Sequence, residues 1–395
     1  MNRRLLVPAD VRFPLERANG IQIVKTAAAL ARAGAETTLV VRRSDPRTTD
    51  EILGLYGVSP HPSLLVERLV VGHRQGSFAI PRALFLARAA ALAQTALFRD
   101  GLVFTRDLQL ADLLLAMPQR RVVYEAHAVE SLLYRERGTI YGTGETVSPA
   151  KARRLARREG RVWRRAAGIV TTTAGIATSF AEAYGARART CIIPNGCDVD
   201  PEAPFAGLAV ARPARVLYAG QLYPWKGVDV LVEAVSRVPD VRLVILGGLE
   251  GERDDSRVRA LVAARGLEAR TEMRGTLPQA RVAEELARAA VVAVPFLKTA
   301  MTERHTSPIK LFEAMAAGRP IVASDLPSSR EVLEHERTAL LVPAGDAEAL
   351  AAAVRRLLGD PALAERLARE AHQEAKRYSW DARARRLLAF FREVA

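Results

Sequence analysis

Three short segments carry side chains whose types and spacing suit a phosphorylated ligand. The first runs from Gly220 through Gln221 to Lys226 and Gly227. It opens with glycine after the β-rich run 216–218 and closes with Lys-Gly before a helical pattern. A lysine there can neutralise a diphosphate while Gly220 lets the backbone come close to it. The Gly-Lys-Ser/Thr order of a Walker A loop is missing. The second segment predicts a helix over 308–317, with Ser307 as N-cap, Pro308 at the first helical position, and Ile309 and Lys310 in the first turn. Free N–H groups plus Lys310 suit an anion. Glu313 lies among Phe312, Ala314, Met315 and Ala316. A helical Glu is usually solvated, but these neighbours leave little polar face, so a buried carboxylate that accepts a ligand hydroxyl is expected. The third segment is Asn19-Gly20, just before a helix expected from Ile21, where backbone N–H groups meet an anion. Taken alone, a plain turn explains it more simply.

The elements that must position these groups alternate along the whole chain. Strands are expected near 5–7, 37–41, 102–105, 122–125, 168–172 and 190–193, with helices at about 21–33, 81–98, 108–116, 149–166 and 174–183. Pro201, Pro204, Gly207 and Pro213 then crowd a stretch without periodicity, which reads as a linker. Alternation resumes with strands near 215–218, 242–246, 272–275, 291–295 and 321–324 and helices at 228–236, 254–265, 279–288, 308–317 and 346–358. Two successive α/β units imply two open parallel sheets facing a cleft, with ligand beyond the carboxyl ends of the strands.

Composition narrows the partners. The 395 residues are 49% hydrophobic and 26% charged, a globular balance sized for two domains. The net charge is +14, and 52 of the 58 basic residues are arginine. Residues 1–200 carry most of the excess, which suits phosphate, anionic lipid or nucleic acid as well as a mere compositional bias. Cys191 and Cys197 form no zinc spacing or disulfide framework and read as reduced thiols of a cytoplasmic protein. Pro8, Asp10 and Arg12 interrupt any apolar leader, and Arg82 and Arg88 cut the run 80–98, so neither a signal peptide nor a membrane span is expected. Helix 149–166 is intensely basic, with Leu155, Val162 and Trp163 interleaved. Such a run is usually a solvated face, yet it also suits peripheral contact with an anionic membrane surface on the inner face.

Five segments in this order resemble the retaining GT-B glycosyltransferases of the large group-one, family 4-like class that use nucleotide-sugar donors. They are Asn19-Gly20, Tyr124-Glu125-Ala126-His127, Ile193-Pro194-Asn195-Gly196-Cys197-Asp198, the loop from Gly220 to Gly227, and the segment from Lys310 to Pro320. The resemblance implies an α/β GT-B fold of two Rossmann-like parallel-sheet domains facing a cleft. Residues 1–203, completed by a helix over 379–395, would form the acceptor side, and 204–378 the nucleotide-sugar side. It places Glu313 on the ribose hydroxyls and Lys226 on the diphosphate, with Gln221 where arginine is usual. His305 stands where a glutamate that touches the donor sugar is common. His127 would sit beside the reaction centre as a positioning and electrostatic group, and Gly20 would offer a backbone N–H. The turn holding Arg274 would meet the base, and Ser307, Pro308, Ile309 and Lys310 complete the donor contacts. Catalysis would then rest on His127 and Lys226, with retention of anomeric configuration, no cofactor and no metal. The acceptor would be a carbohydrate or lipid-linked glycan of the cell envelope or an exopolysaccharide. Two rivals stand beside this reading: an inactive homologue serving as a partner subunit, argued by His305 and Gln221, and a basic nucleic-acid binder, which lacks any recognised module.

Overall fold

The computed structural model describes residues 4–15, 18–71, 79–95, 100–117, 121–208, 212–249 and 251–394. The end of the helix expected over 81–98 (residues 96–98) and Arg3 of the N-terminal run lie outside these residues. Two compact units result. The first comprises 1–135, 147–195 and 380–395, and the second 136–146 and 196–379.

Seven parallel strands form the first unit's sheet: β1 (Leu5–Phe13), β2 (Thr37–Arg43), β3 (Leu64–Leu69), β4 (Leu102–Thr105), β5 (Val122–Ala126), β6 (Gly168–Thr171) and β7 (Thr190–Ile192). Their order is β3-β2-β1-β4-β5-β6-β7. Strands β4, β5 and β6 are buried along their whole length, which is why they read as continuous apolar runs. Strand β3 alternates exposed and half-buried residues at the sheet edge. Its Glu67 and Arg68 hide it from any search for apolar runs.

The second sheet holds β8 (Ala214–Ala219), β9 (Val241–Leu246), β10 (Thr271–Met273), β11 (Val291–Val294), β12 (Ile321–Ser324) and β13 (Leu340–Val342). The order β10-β9-β8-β11-β12-β13 is again all parallel. Each sheet reverses its winding once, between β1 and β4 and between β8 and β11. Those switch points open crevices beyond the strand ends, where ligands of such sheets bind. The loops after β1 and β8, which hold the glycine signals, begin there.

Helix Trp380–Val394 belongs to the first unit and packs on helix Ala18–Arg32. Trp380, Arg383, Ala384, Leu387, Phe390, Phe391 and Val394 form its buried face, at the spacing of one helical stripe. Arg32 reaches across to Asp381 at 2.6 Å.

Candidate active site

In the second unit, loops from four adjacent strands are stitched together at the carboxyl edge. Gly220 N donates to Leu246 O at 2.8 Å, Gly247 N to Gly275 O at 2.6 Å, and Leu297 N to Trp225 O at 3.0 Å. A side chain at Gly227 is impossible: φ is +72°, and a Cβ there would lie 1.7 Å from Pro295 O. This close approach brings the β8 loop onto the end of β11. Tyr218 Oη donates to Gln221 O at 2.6 Å and pins the loop's first turn. Gln221 thus takes part through its backbone.

Lys226 ends this loop. Its Nζ lies 4.1 Å from the centre of the Trp225 ring and 4.7 Å from that of Phe296. Among the described residues no carboxylate pairs with it. Burial against the two rings pulls the ammonium down to about 7. The loop therefore ends in a desolvated amine at the switch point of the second sheet.

Glu313 is confirmed as a largely buried carboxylate, with 12% of its side chain exposed. Its partners were not legible. Lys310 Nζ lies 2.9 Å from Oε2, and the Gln279 amide donates to Oε1. Lys310 is thereby committed to Glu313, which corrects its expected role as a free cation for the anion. A second correction concerns the helix start. The helix runs Ile309–Ala316 with Pro308 as N-cap and without a side-chain cap, so Ser307 lies one residue before it. Pro308 has the extended ψ of 120° that a cap residue takes, so it stands outside the helix. Gly318 ends the helix with φ +60° as expected.

His305 is buried at the C-cap of helix Ala300–Arg304, and burial with Arg304 nearby lowers it to about 4. It is a neutral imidazole where the resemblance would place an acid. Arg274 N donates to Ile245 O at 3.0 Å, while its guanidinium meets Glu272 and, at 2.8 Å, Glu285. That side chain braces the β10 turn and is spoken for within the protein.

The first unit places Gly20 differently from expectation. Helix Ala18–Arg32 includes it, so Asn19-Gly20 lies in the first turn and not before it. A Cβ at Gly20 would fall 2.0 Å from Leu15 O, so packing of the preceding chain demands glycine. Asn19 lines a cavity of about 400 Å³ beyond β1 and β4. Its charged walls are Asp10, Arg82, Arg106, Asp107, Glu130, Lys151, Arg154 and Arg158. Arg82 spans Asp10 and Asp107, and Arg158 meets Asp112 at 3.3 Å, leaving Arg106, which donates to Gln22, and Lys151 and Arg154 without a carboxylate ion pair among the described residues. Glu130 is pushed up to about 7, chiefly by burial and then by Glu159 and Asp107.

His127 follows β5, with Nε2 at 3.5 Å from Glu125 Oε2. Burial and Arg106 pull it down to about 4 against the opposing pull of Glu125. The imidazole is thus neutral near pH 7. Glu125, Gln22, Arg106 and Arg383 form a buried polar cluster behind it, which no spacing argument singled out. The signal for Arg383 was present: it occupies a core position of the terminal helix's apolar stripe.

The basic helix is Pro149–Arg165. Trp163 is 3% exposed, donates Nε1–H to Gly185 O at 2.9 Å and stacks on Phe180. Val162 is buried beside it. This corrects the amphipathic reading, since the apolar stripe faces the core. Lys151 and most of the arginines remain outward. Glu159 is fully buried and accepts the backbone N–H groups of Glu130 and Ser131 and the hydroxyl of Tyr184.

Residues 20–196 match the glycosyl transferase 4-like domain and residues 213–360 the glycosyl transferases group 1 domain. The chain belongs to the group 1 glycosyltransferases. As a member of that family it shares the GT-B fold with sucrose-phosphate synthase of Thermosynechococcus elongatus, at a TM-score of 0.78, 22% identity and 99% coverage of both chains. Anabaena HepE in complex with UDP and glucose superposes at a TM-score of 0.74 with 19% identity over 98% of this chain and 99% of that one. In sequence, phosphatidyl-myo-inositol mannosyltransferase of Mycobacterium tuberculosis is 35% identical over 214 residues, covering 51% of this group 1 chain and 54% of that protein. The chain spans about half the length of most of the curated relatives it matches. Among the described residues, no helix is long and apolar enough to cross a membrane.

Proposed function

We propose that the chain is a retaining glycosyltransferase that moves a sugar from a nucleotide diphosphate donor to a carbohydrate or lipid-linked acceptor, in cell-envelope or exopolysaccharide glycan synthesis. The observation that carries this reading is Lys226, a desolvated cation at the end of a glycine-bounded loop. As the bond from the anomeric carbon to the diphosphate breaks, negative charge grows on the leaving group. Lys226 stabilises that charge at short range in a site partly stripped of water, without a metal. The acceptor hydroxyl oxygen then bonds to the same face of the sugar, and its proton passes to the departing phosphate oxygen. His127 orients this exchange as a neutral group, and Glu313 holds the ribose hydroxyls once Lys310 and Gln279 have set its rotamer.

The cavity beside β1 and β4 suits the acceptor. Glu130, Asp107 and Asp10 offer acceptors to hydroxyl groups, while Lys151 and Arg154 offer charge to an anionic substituent. The UDP and glucose held by HepE fit this donor class, and the phosphatidyl-myo-inositol of the mycobacterial mannosyltransferase fits this kind of acceptor. The outward arginines of helix Pro149–Arg165 suit the surface of an anionic membrane.

Calorimetry with UDP-, GDP- and ADP-sugars, followed by anomeric analysis of products, tests the proposal. Expected are micromolar binding of one donor and a product of unchanged anomeric configuration. An inverted product overturns retention. Failure of every nucleotide sugar to bind, together with salt-steep affinity for DNA, overturns the whole reading.

A further inference from the structure

The buried cluster behind His127 is assembled from four separate parts of the first unit. Gln22 comes from helix Ala18–Arg32, Arg106 from the end of β4, Glu125 from β5 and Arg383 from helix Trp380–Val394. The Gln22 amide donates to both Glu125 oxygens at 3.1 Å, and Arg106 Nη1 donates to Gln22 Oε1 at 3.1 Å. The Arg383 guanidinium donates to Glu125 Oε1. The side chains of Arg383 and Glu125 are 2% and 4% exposed. The other carboxylate oxygen faces His127 Nε2 at 3.5 Å.

A buried ion pair of this kind is a poor way to gain stability, because desolvating both charges offsets most of their attraction. An apolar pair of equal volume would pack the terminal helix as well. What the pair does provide is a fixed direction for one carboxylate oxygen. Arg383 and Gln22 together hold the Glu125 carboxylate, and its second oxygen, which also accepts from Gln22, lies 3.5 Å from the imidazole Nε2.

We propose that Arg383 is a positioning residue for His127, acting through the Glu125 carboxylate it clamps. The C-terminal helix is thus part of the reaction centre's support and not only a strap closing the sheet. This inference rests on the role given to His127 above. The charged groups facing the imidazole are Glu125 from β5, Arg106 from the end of β4 and Arg383 from the terminal helix. Arg106 and Arg383 disfavour its protonation, and Glu125 favours it.

The opposite signs supply the test. With six histidines in the chain, 13C-labelled imidazole resonances are resolvable, and His127→Asn identifies the relevant one. In Arg383→Gln the His127 midpoint rises, since one repelling cation is gone. In Glu125→Gln it falls, since the attracting anion is gone. A merely structural pair would move both midpoints the same way, towards the ordinary histidine value, as the loosened site admits water. Arg383→Gln is also expected to lower kcat by about 10- to 100-fold through misplacement of the ring, with donor KM within about twofold. Should Glu125→Gln fail to fold, the pair Glu125→Gln/Arg383→Gln removes one charge of each sign and leaves the cluster's net charge unchanged. It is expected to show the same loss of kcat with intact donor binding.

An unchanged titration and unchanged kcat in Arg383→Gln overturn the inference, as do midpoints that shift together. The titration is read without turnover. Opposite shifts in a chain that proves unable to transfer sugar would defeat the proposed function while leaving the clamp standing.

Discussion

Lys226 concentrates the argument at the scale of one residue. Its ammonium is lowered to about 7 by burial, whereas in an unfolded chain it would titrate near the ordinary lysine value. Between those limits the unfolded state binds more protons than the folded one, so ligand-free stability rises with pH across that window. Below about pH 7 the fold carries the full cost of a desolvated charge. Two expectations follow for Lys226→Met. Binding of the free nucleotide diphosphate weakens by about tenfold or more, since a charge-assisted contact is lost. The ligand-free protein gains stability, with Tm up by roughly 2 °C or more at pH 6.5 and little gain at pH 10. In the wild type, diphosphate affinity falls as pH rises past 7. Calorimetry and scanning calorimetry across pH 6–10 check all three, and a variant that loses Tm at pH 6.5 would contradict the burial cost.

The same scale shows what could be read beforehand. Glu313 and Lys226 were legible because each is a charged residue inside an apolar neighbourhood, Lys226 in the loop after β8 and Glu313 within helix Ile309–Ala316. The partners that complete them, Gln279 for Glu313 and the Trp225 and Phe296 rings for Lys226, were not. Trp225 adjoins Lys226 in the chain, but Gln279 comes from the start of helix Gln279–Ala287 and Phe296 from just past the end of β11, which only the sheet order brings close. Arg383 sits in between: its apolar register marked it as buried, but nothing in the chain named Glu125, 258 residues away, as its partner.

Elements impose their own demands, and Glu159 is the clearest. Helix Glu130–Ile140 begins with backbone N–H groups that need acceptors from outside the helix. The carboxylate comes instead from the neighbouring helix Pro149–Arg165, taking Glu130 N–H and Ser131 N–H, the latter at 3.1 Å, with Tyr184 Oη at 3.0 Å. Burial raises its carboxyl above the ordinary range despite these bonds. For an acid raised in this way, the folded state holds the extra proton, so its contribution to stability declines as pH climbs towards the folded value. Glu159→Ala strands the helix start and is expected to cost about 2–4 kcal/mol in urea unfolding. Glu159→Gln keeps one acceptor but turns an NH2 towards donors, and about 1–3 kcal/mol is expected. The alternating strand and helix pattern predicted helix 149–166 but not helix Glu130–Ile140. It could not predict that a lone glutamate in a basic helix is a cap for another, because that depends on which helices become neighbours.

At the scale of the whole molecule, the +14 charge must be reconciled with a fold whose carboxylates are largely paired. Much of the excess lies on helix Pro149–Arg165, where Arg153, Arg157, Arg164 and Arg165 point outward and have no carboxylate partner among the described residues. Such a face is expected to bind anionic vesicles by long-range attraction alone, at about 1 kcal/mol per arginine near the surface. Binding should fall steeply as salt rises from about 50 to 200 mM and be absent on neutral vesicles. Because Trp163 stacks inside the core, its fluorescence should not shift on binding, unlike that of a helix that inserts a tryptophan. Replacing the four arginines with glutamine should abolish sedimentation with anionic vesicles and leave the unfolding midpoint within about 1 kcal/mol, since no described ion pair is broken. Vesicle binding that survives the four substitutions, or that carries a blue-shifted tryptophan, would place the contact on another face of the molecule.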